Sequence, residues 1–310
     1  MSAREWMRAP LWAAVERVWA EGFAGAGLLN RASVRVWTPR GDARVLVIAP
    51  HPDDEATGCG GTMVLHTRAG DRVSVVQVTD GGASRAPWLD GNTAAQVRLE
   101  EGRAAGPCLG VHDLIQWALP ERKWYHAELC ERFCTILTHA NPDLVYAPSC
   151  IDFHPEHVRV ARALAAALGI ARVRPVIRVY EIGVPLTARL ANCVVDTSAS
   201  GHAQRQALAT YYSQSIALMA IPRMRTYCAH FYAREFRGRV VSSAEAFWEM
   251  STAQYQTLMQ RGDWLGARAW SPELTPYRSL RPRPLSDPLA YWVGAREREQ
   301  LKKWIEAKDE

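Results

Sequence analysis

Apolar and polar positions follow two alternating regimes along this chain. The segment Arg44-Val-Leu-Val-Ile-Ala49 is a continuous apolar run stopped by Pro50, the pattern of a strand buried on both faces. Residues 72–79 (RVSVVQVT), 143–147 (DLVYA) and 173–182 (VRPVIRVYEI) repeat it, and 112–117 is a weaker version. Between these runs the apolar residues recur at three- and four-residue spacing, which predicts helices over 55–69, 94–109, 126–140 and 155–168. Strand and helix in alternation predict βαβ crossovers, hence an α/β fold with a mostly parallel sheet covered by helices on both faces.

After Asp196 the spacing turns helical, predicting helices over 201–219, 224–236 and 244–260. A Pro-rich stretch, 271–288, then reads as a wandering loop or rigid tether, and a short helix over 296–307 closes the chain. At the other end, Leu11, Val15, Val18 and Trp19 fall at helical spacing and predict an amphipathic helix that packs on its own domain. The expected division is therefore an N-terminal lead-in over 1–43, a catalytic α/β domain over 44–240, and a helical and Pro-rich extension over 241–310 that packs on the same domain.

Composition narrows the function classes. Hydrophobic residues make up 48% of the chain and charged residues 22%, which suits a globular protein with a real core. The net charge of +5 is scattered, without a run of five or six like charges, so no nucleic-acid footprint is expected. No run of 18 or more apolar residues and no basic region followed by a clean apolar core occurs, so neither a spanning helix nor a signal peptide is expected. Seven cysteines, an odd count without a CxxC pair, read as reduced thiols, and a cytoplasmic location is the expectation. Trp248, Trp264, Trp270, Trp292 and Trp304 crowd the C-terminal part, as packing residues first and as sugar-stacking rings second.

Polar clusters follow the strand ends directly, at 51–55, 79–85 and 151–157, which is where parallel sheets bind ligands. His51-Pro52-Asp53-Asp54-Glu55 leaves the first strand through a proline that turns the chain sharply. His154-Pro155-Glu156-His157 follows DLVYA, with Pro155 suited to a first helical turn and the two histidines three residues apart on one side. Two imidazoles and one carboxylate with an open fourth position form the usual donor set of a hydrolytic zinc site. Such an ion polarises the scissile carbonyl and acidifies its water, and a carboxylate nearby must take the proton. The assignment is His51, Asp54 and His157 as metal ligands, Asp53 as base, and His154 as donor to the oxyanion and leaving amine. Glu156 reads either as an acid favoured at a helix N-terminus or as an acceptor that orients His154.

The segment Ala49-Pro-His-Pro-Asp-Asp-Glu-Ala-Thr-Gly-Cys-Gly-Gly61, with His154-Pro-Glu-His157, resembles the LmbE-like or PIG-L family of zinc N-acetylglucosaminyl deacetylases. That family includes enzymes of mycothiol and bacillithiol synthesis and glycopeptide-antibiotic deacetylases. The likeness runs from about Arg44 to Phe236, through Thr79-Asp80-Gly81, Arg98-x-x-Glu101, Leu109-Gly110 and Tyr212-Ser213-Gln214. It implies a Rossmann-like fold, one Zn2+, the ligand and base positions above, and transition-state support from His154. It also implies hydrolysis of the N-acyl, most simply N-acetyl, amide of a small-molecule amino-sugar substrate. The alternatives are an amidase on a thiol conjugate or antibiotic acyl amide, and a catalytically silent sugar-binding protein on the same fold. Against the last stands the complete ligand and base set, since a binding module has no use for Asp53. Glu156 departs from the Asp that the family commonly carries there.

Three further residues are candidates for substrate contact. Asp80 and Arg85 lie after the second strand, where they could hold sugar hydroxyls, although Asp-Gly-Gly is also plain turn chemistry. Arg98 reads either as a surface pair with Glu101 or, on its family position, as a substrate contact. Gly58, Gly60 and Gly61 lack nucleotide-fingerprint spacing and are expected to serve close helix–sheet packing under the metal.

Overall fold

The computed structural model describes residues 34–260 apart from 85–87, 91–92, 149–153, 183–185, 187–189 and 219–220, with isolated positions between 17 and 28. Most of the N-terminal helix expected around 11–19, the Pro-rich stretch, the helix over 296–307 and the tryptophans after Trp248 lie outside the described residues.

One eight-stranded sheet organises the described residues. Its strands are β1 (Arg35–Val36), β2 (Arg44–Ala49), β3 (Arg72–Thr79), β4 (Asp113–Leu119), β5 (Leu144–Ala147), β6 (Val176–Val179), β7 (Cys193–Asp196) and β8 (Ala244–Met250). They lie in the order β1-β7-β8-β6-β5-β2-β3-β4, and every pairing is parallel except those of β8 with β6 and β7. The crossovers are helices α1 (Asp54–Ala69), α2 (Ala94–Leu109), α3 (His126–Ala140) and α4 (Pro155–Ala171). Later come α5 (Gly201–Thr210), a 3-10 turn (Tyr212–Gln214), α6 (Ser215–Leu218), α7 (Ile221–Phe231) and α8 (Thr252–Gln260). No described helix is long and apolar enough to cross a membrane.

The apolar runs are strands because both sheet faces are covered. Leu46 and Ile48 of β2 pack in one core cluster with Val145, Phe133 and Leu164, while Val45 and Val47 pack in the other with Met63 and Leu109. Successive residues face opposite layers, so no position on the strand may be polar without a partner. β2 is flanked by β3 on one side and β5 on the other. The chain therefore leaves β2 at a switch point, and the loops after β2 and β5 open side by side although about a hundred residues separate them.

The mostly parallel sheet is as expected, and the strands over 44–49 and 72–79 have the expected bounds. The helix expected over 244–260 is a correction: its first part is β8 and only Thr252–Gln260 is helical. Ala244, Ala246, Trp248 and Met250 face one core layer and Phe247 the other, a period of two. Alanine and glutamate favour a helix locally, but two open sheet edges and buried arginines facing Glu245 and Glu249 decide for a strand. The helix expected over 201–219 breaks at Tyr211, whose buried side chain donates to the Glu55 carboxylate.

Behind the sheet, His66 sits in a buried polar chain. Its Nδ1 lies 2.6 Å from Asp71 and its Nε2 2.9 Å from the Tyr146 hydroxyl, which Arg178 also reaches at 2.8 Å. Burial pushes the His66 pKa down from 6.5 to about 4, against the opposing pull of Asp71. The unfolded chain thus binds the extra proton first as pH falls below 6.5, and stability is lost down to about pH 4. This contribution is about 3 kcal/mol in all. In urea titrations at pH 7.5 and 5, His66→Gln is expected to lose less stability than the parent over that interval. Equal losses would assign the acid sensitivity to other groups.

Candidate metal centre

The loop after β2 is held before any side chain reaches inward. The Thr79 backbone N–H and hydroxyl both donate to the Pro50 carbonyl, at 3.0 and 2.8 Å, and Tyr180 donates to the Ile48 carbonyl from below. Tyr180 packs so closely under the loop that a Cβ on Gly58 would lie 2.5 Å from its ring, which accounts for that glycine. Asp53 then adopts φ 123° and ψ −24°, a backbone geometry that costs a non-glycine residue on the order of 1–3 kcal/mol. It is retained by the Thr57 N–H bond to the Asp53 carbonyl (2.9 Å) and by Arg98.

Three donor atoms converge. His51 Nδ1 lies 3.1 Å from Asp54 Oδ2, His157 Nε2 lies 3.2 Å from the same oxygen, and the two ring nitrogens are 3.2 Å apart. A tetrahedral ion bonded at about 2.0–2.1 Å separates its ligand atoms by about 3.3 Å. The triangle therefore fits a zinc-sized ion, and its three residues are buried. A wider set, the ring nitrogens of His51, His154 and His157 within 4.8 Å of one another, could also hold an ion. It shares two members with the triangle. The Asp54 set is the better fit, because its edges match one tetrahedral face and because it brings a negative charge.

Electrostatics follow from this crowding. Burial would raise Asp54, but the two histidines beside it hold its carboxyl well below the usual range. Burial would lower His51, yet its hydrogen bond to Asp54 and the Glu121 carboxylate 3.8 Å from its other ring nitrogen leave it raised. Burial pushes the neighbouring Asp53 up to about 6, opposed chiefly by Arg98. Glu55 is likewise pushed up by burial, to about 7, against the bond from Tyr211.

The other sequence-derived candidates fall as follows. His154 is half-buried, its ring centroid 4.7 Å from that of His51 and 4.9 Å from that of His157. Glu156 is buried, with one carboxylate oxygen 2.6 Å from Trp124 Nε1 and the other 3.1 Å from Arg159, whose guanidinium stacks 3.9 Å over the Trp124 ring. Its carboxylate thus ties the first turn of α4 to the loop before α3. Asp80 Oδ1 accepts from the Gly82 and Glu121 N–H groups at 2.8 and 3.1 Å, the turn chemistry foreseen for it. Arg85 lies outside the described residues. Arg98 is 5% exposed, so the surface pair with Glu101 does not form, and Glu101 instead accepts from the Ser213 N–H and hydroxyl. The guanidinium points into the site, 3.0 Å from Asp53 Oδ2 and bonded to the Pro52 carbonyl. Gly81, at φ 62°, makes room for it, since a Cβ there would meet Arg98 Nε at 2.7 Å.

Glu121 is a residue that the sequence reading missed. It follows β4 directly, its Oε1 is 3.8 Å from His51 Nε2, and its Oε2 accepts from the Ala83 N–H at 3.0 Å. Burial opposes its ionisation, but His51 holds it down at about 2. The signal was available, because an acid after a strand end was the criterion that found the other clusters. The pattern over 112–117 is a weak strand signal, which leaves Glu121 without a marked strand end before it.

Residues 46–168 match the model of the PIG-L family, GlcNAc-PI de-N-acetylase. Over 144 residues the chain is 31% identical to the diacetylchitobiose deacetylase of Thermococcus kodakarensis, covering 43% of this chain and 52% of that protein. The chain thus spans about half the length of the curated relatives it matches. Among solved structures, N,N'-diacetylchitobiose deacetylase of Pyrococcus horikoshii superposes with a TM-score of 0.58 at 23% identity, over 69% of this chain and 86% of that one. The 4-carboxy-2-hydroxymuconate hydratase GalB of Pseudomonas putida superposes at 0.61 and 17% identity, over 66% and 95%. These structural likenesses establish the fold, which serves both a deacetylase and a hydratase, so the chemistry must be argued from side chains. On the sequence match, the motif spacing and the sheet together, the chain carries a PIG-L family domain over residues 46–168.

Proposed function

We propose that this protein is a metal-dependent hydrolase that cleaves the N-acetyl amide of an N-acetylglucosamine-containing small molecule, releasing acetate and the free amine. The observation that carries the reading is the triangle of His51 Nδ1, Asp54 Oδ2 and His157 Nε2, with edges of 3.1–3.2 Å, beside the carboxylate of Asp53. These three residues would hold the ion, Zn2+ by donor chemistry. When bound, it supplies Lewis-acid polarisation of the amide carbonyl and acidification of water.

The residues of the chain carry the protons. Asp53 accepts one from the water whose oxygen attacks the carbonyl carbon. Arg98 holds the Asp53 carboxylate in place and balances its charge in a buried setting. His154 donates to the nitrogen as the C–N bond breaks, so that the amine leaves neutral. Glu121, its carboxylate 3.8 Å from His51 Nε2, sets a negative charge beside that imidazole. Sequence similarity to a diacetylchitobiose deacetylase supports the substrate class.

The direct test is to load the purified protein with Zn2+, incubate it with N-acetylglucosamine, diacetylchitobiose and glycosides of N-acetylglucosamine, and follow free amine and acetate by mass spectrometry. Release of amine from none of them by a metal-loaded, folded protein would overturn the reading. Arg98 provides a finer test. A residue that only grips the sugar raises KM, whereas one that aims the base lowers kcat. With its guanidinium on Asp53, Arg98→Lys is expected to lower kcat by about tenfold or more with little change in KM. A raised KM at unchanged kcat would return Arg98 to direct substrate contact.

A further inference from the structure

Helix α1 is broken at Cys59, whose φ of −148° and ψ of 22° are not helical. The turn before the break, Asp54 to Gly58, is little more than one turn long, and it carries Asp54. So short a piece of helix does not hold itself. In an unbroken helix the carbonyls of Ala56, Thr57 and Gly58 accept from the N–H groups of residues 60, 61 and 62. Here those positions are served by side chains from three other elements. Gln204 of α5 donates to the Ala56 carbonyl at 2.9 Å. Arg225 of α7 donates to the Thr57 carbonyl and, at 3.3 Å, to that of Gly58. On the far side of the break, Glu245 of β8 accepts from Gly61 N–H at 3.0 Å and Thr62 N–H at 2.8 Å.

The three side chains also hold one another. Gln204 donates to Glu245 at 2.9 Å, and the Arg225 guanidinium lies 3.6 Å from Glu245 and 3.5 Å from Glu181 at the end of β6. Glu245 is 0% exposed, and Arg225 and Gln204 3% each. Desolvating an arginine and a carboxylate so completely is expensive unless their hydrogen bonds are met. Here Arg225 Nη2 and both Glu245 oxygens are met by the two ends of one interrupted helix, while Arg225 Nε faces Glu245 at 3.6 Å without a hydrogen bond. All three residues lie outside the stretch that matches the family model.

We infer that Arg225, Glu245 and Gln204 are positioning residues, a buried clamp inserted into α1 that sets the aim of the turn bearing Asp54 and so the affinity of the site for a divalent ion. This rests on the metal reading above. The clamp acts through backbone, on the ligand that the two histidines share. Without it the turn is free to rotate at Cys59, and the 3.1–3.2 Å edges to His51 and His157 relax. The substrate is not touched.

The experiment uses the full chain with Zn2+ titrated against a chromogenic chelator, and with Co2+ as an absorption probe of ligand geometry. In Arg225→Met/Glu245→Gln both charges disappear together, so neither remains buried alone. The metal-free variant is expected to unfold cooperatively, to bind Zn2+ about 10- to 100-fold more weakly than the parent, and to show a shifted Co2+ band. Should that variant not fold, Gln204→Met removes a neutral amide that donates to the Ala56 carbonyl and to Glu245, leaves both charges in place, and is expected to weaken Zn2+ by about threefold or more. A folded variant with the parent's affinity and Co2+ spectrum overturns this inference alone. A parent that takes up no Zn2+ overturns the metal reading and this inference with it.

Discussion

Asp53→Asn is expected to lower turnover by roughly two to four orders of magnitude while the protein keeps its fold and its metal. Asparagine has the shape of aspartate and can keep a hydrogen bond from Arg98, so the loop should stay folded at φ 123°. What it lacks is the capacity to accept a proton from attacking water. The ion pair with Arg98 is lost as well, leaving a buried guanidinium that retains its bond to the Pro52 carbonyl. Turnover with diacetylchitobiose and metal content measured on the same preparation decide the matter. Should Asp53→Asn shed the metal while Asp54→Asn keeps it, the two acids have exchanged roles. Should Asp53→Asn retain more than about a tenth of parent turnover, another group is the base.

His157→Ala is expected to abolish both bound metal and amide hydrolysis. Its Nε2 is one corner of the triangle, on the first turn of α4, where Pro155 and the Glu156 bonds to Trp124 and Arg159 secure the backbone. Removing the imidazole leaves two donors, too few to hold a hydrolytic ion against exchange. Treatment of the parent with a strong chelator should reproduce the loss, and added Zn2+ should reverse it in the parent only. Full metal occupancy in His157→Ala would show that the ion sits on another set of residues, and it would rule out the wider group with His154 as well, since that group also includes His157. The same variant probes the apoprotein. Asp54 is held low partly by His157, so its removal leaves a buried carboxylate with less support and should lower the melting temperature of the metal-free protein.

Much of the candidate site was legible in the sequence because its signals are local. A histidine and two acids placed directly after a buried strand, and a second histidine pair with proline at a helix start, each state their geometry over a few residues. Parallel sheets put such loops on one edge, so the convergence of His51, Asp54 and His157 followed from the fold class. For Arg98 the sequence offered two readings, a surface pair with Glu101 from the spacing along α2 and a substrate contact from its family position. Only packing shows that Glu101 turns to Ser213 while Arg98 turns inward to Asp53.

The alternation of apolar runs and helical spacing by itself determined the parallel α/β sheet, since periodicity records which faces must be buried. It also determined which loops would carry the candidate site residues. Tertiary structure alone decided β8, where two sheet edges overrule the helical preference of Ala-Glu-Ala, and with it the burial of Glu245. It decided the break in α1 as well: Gly58, Gly60 and Gly61 weaken a helix around Cys59, but only packing places the kink there. The side chains that bond the backbone groups at the break come from α5, α7 and β8. Long-range hydrogen bonds of buried polar groups leave no period in the chain, so only the folded structure reveals them.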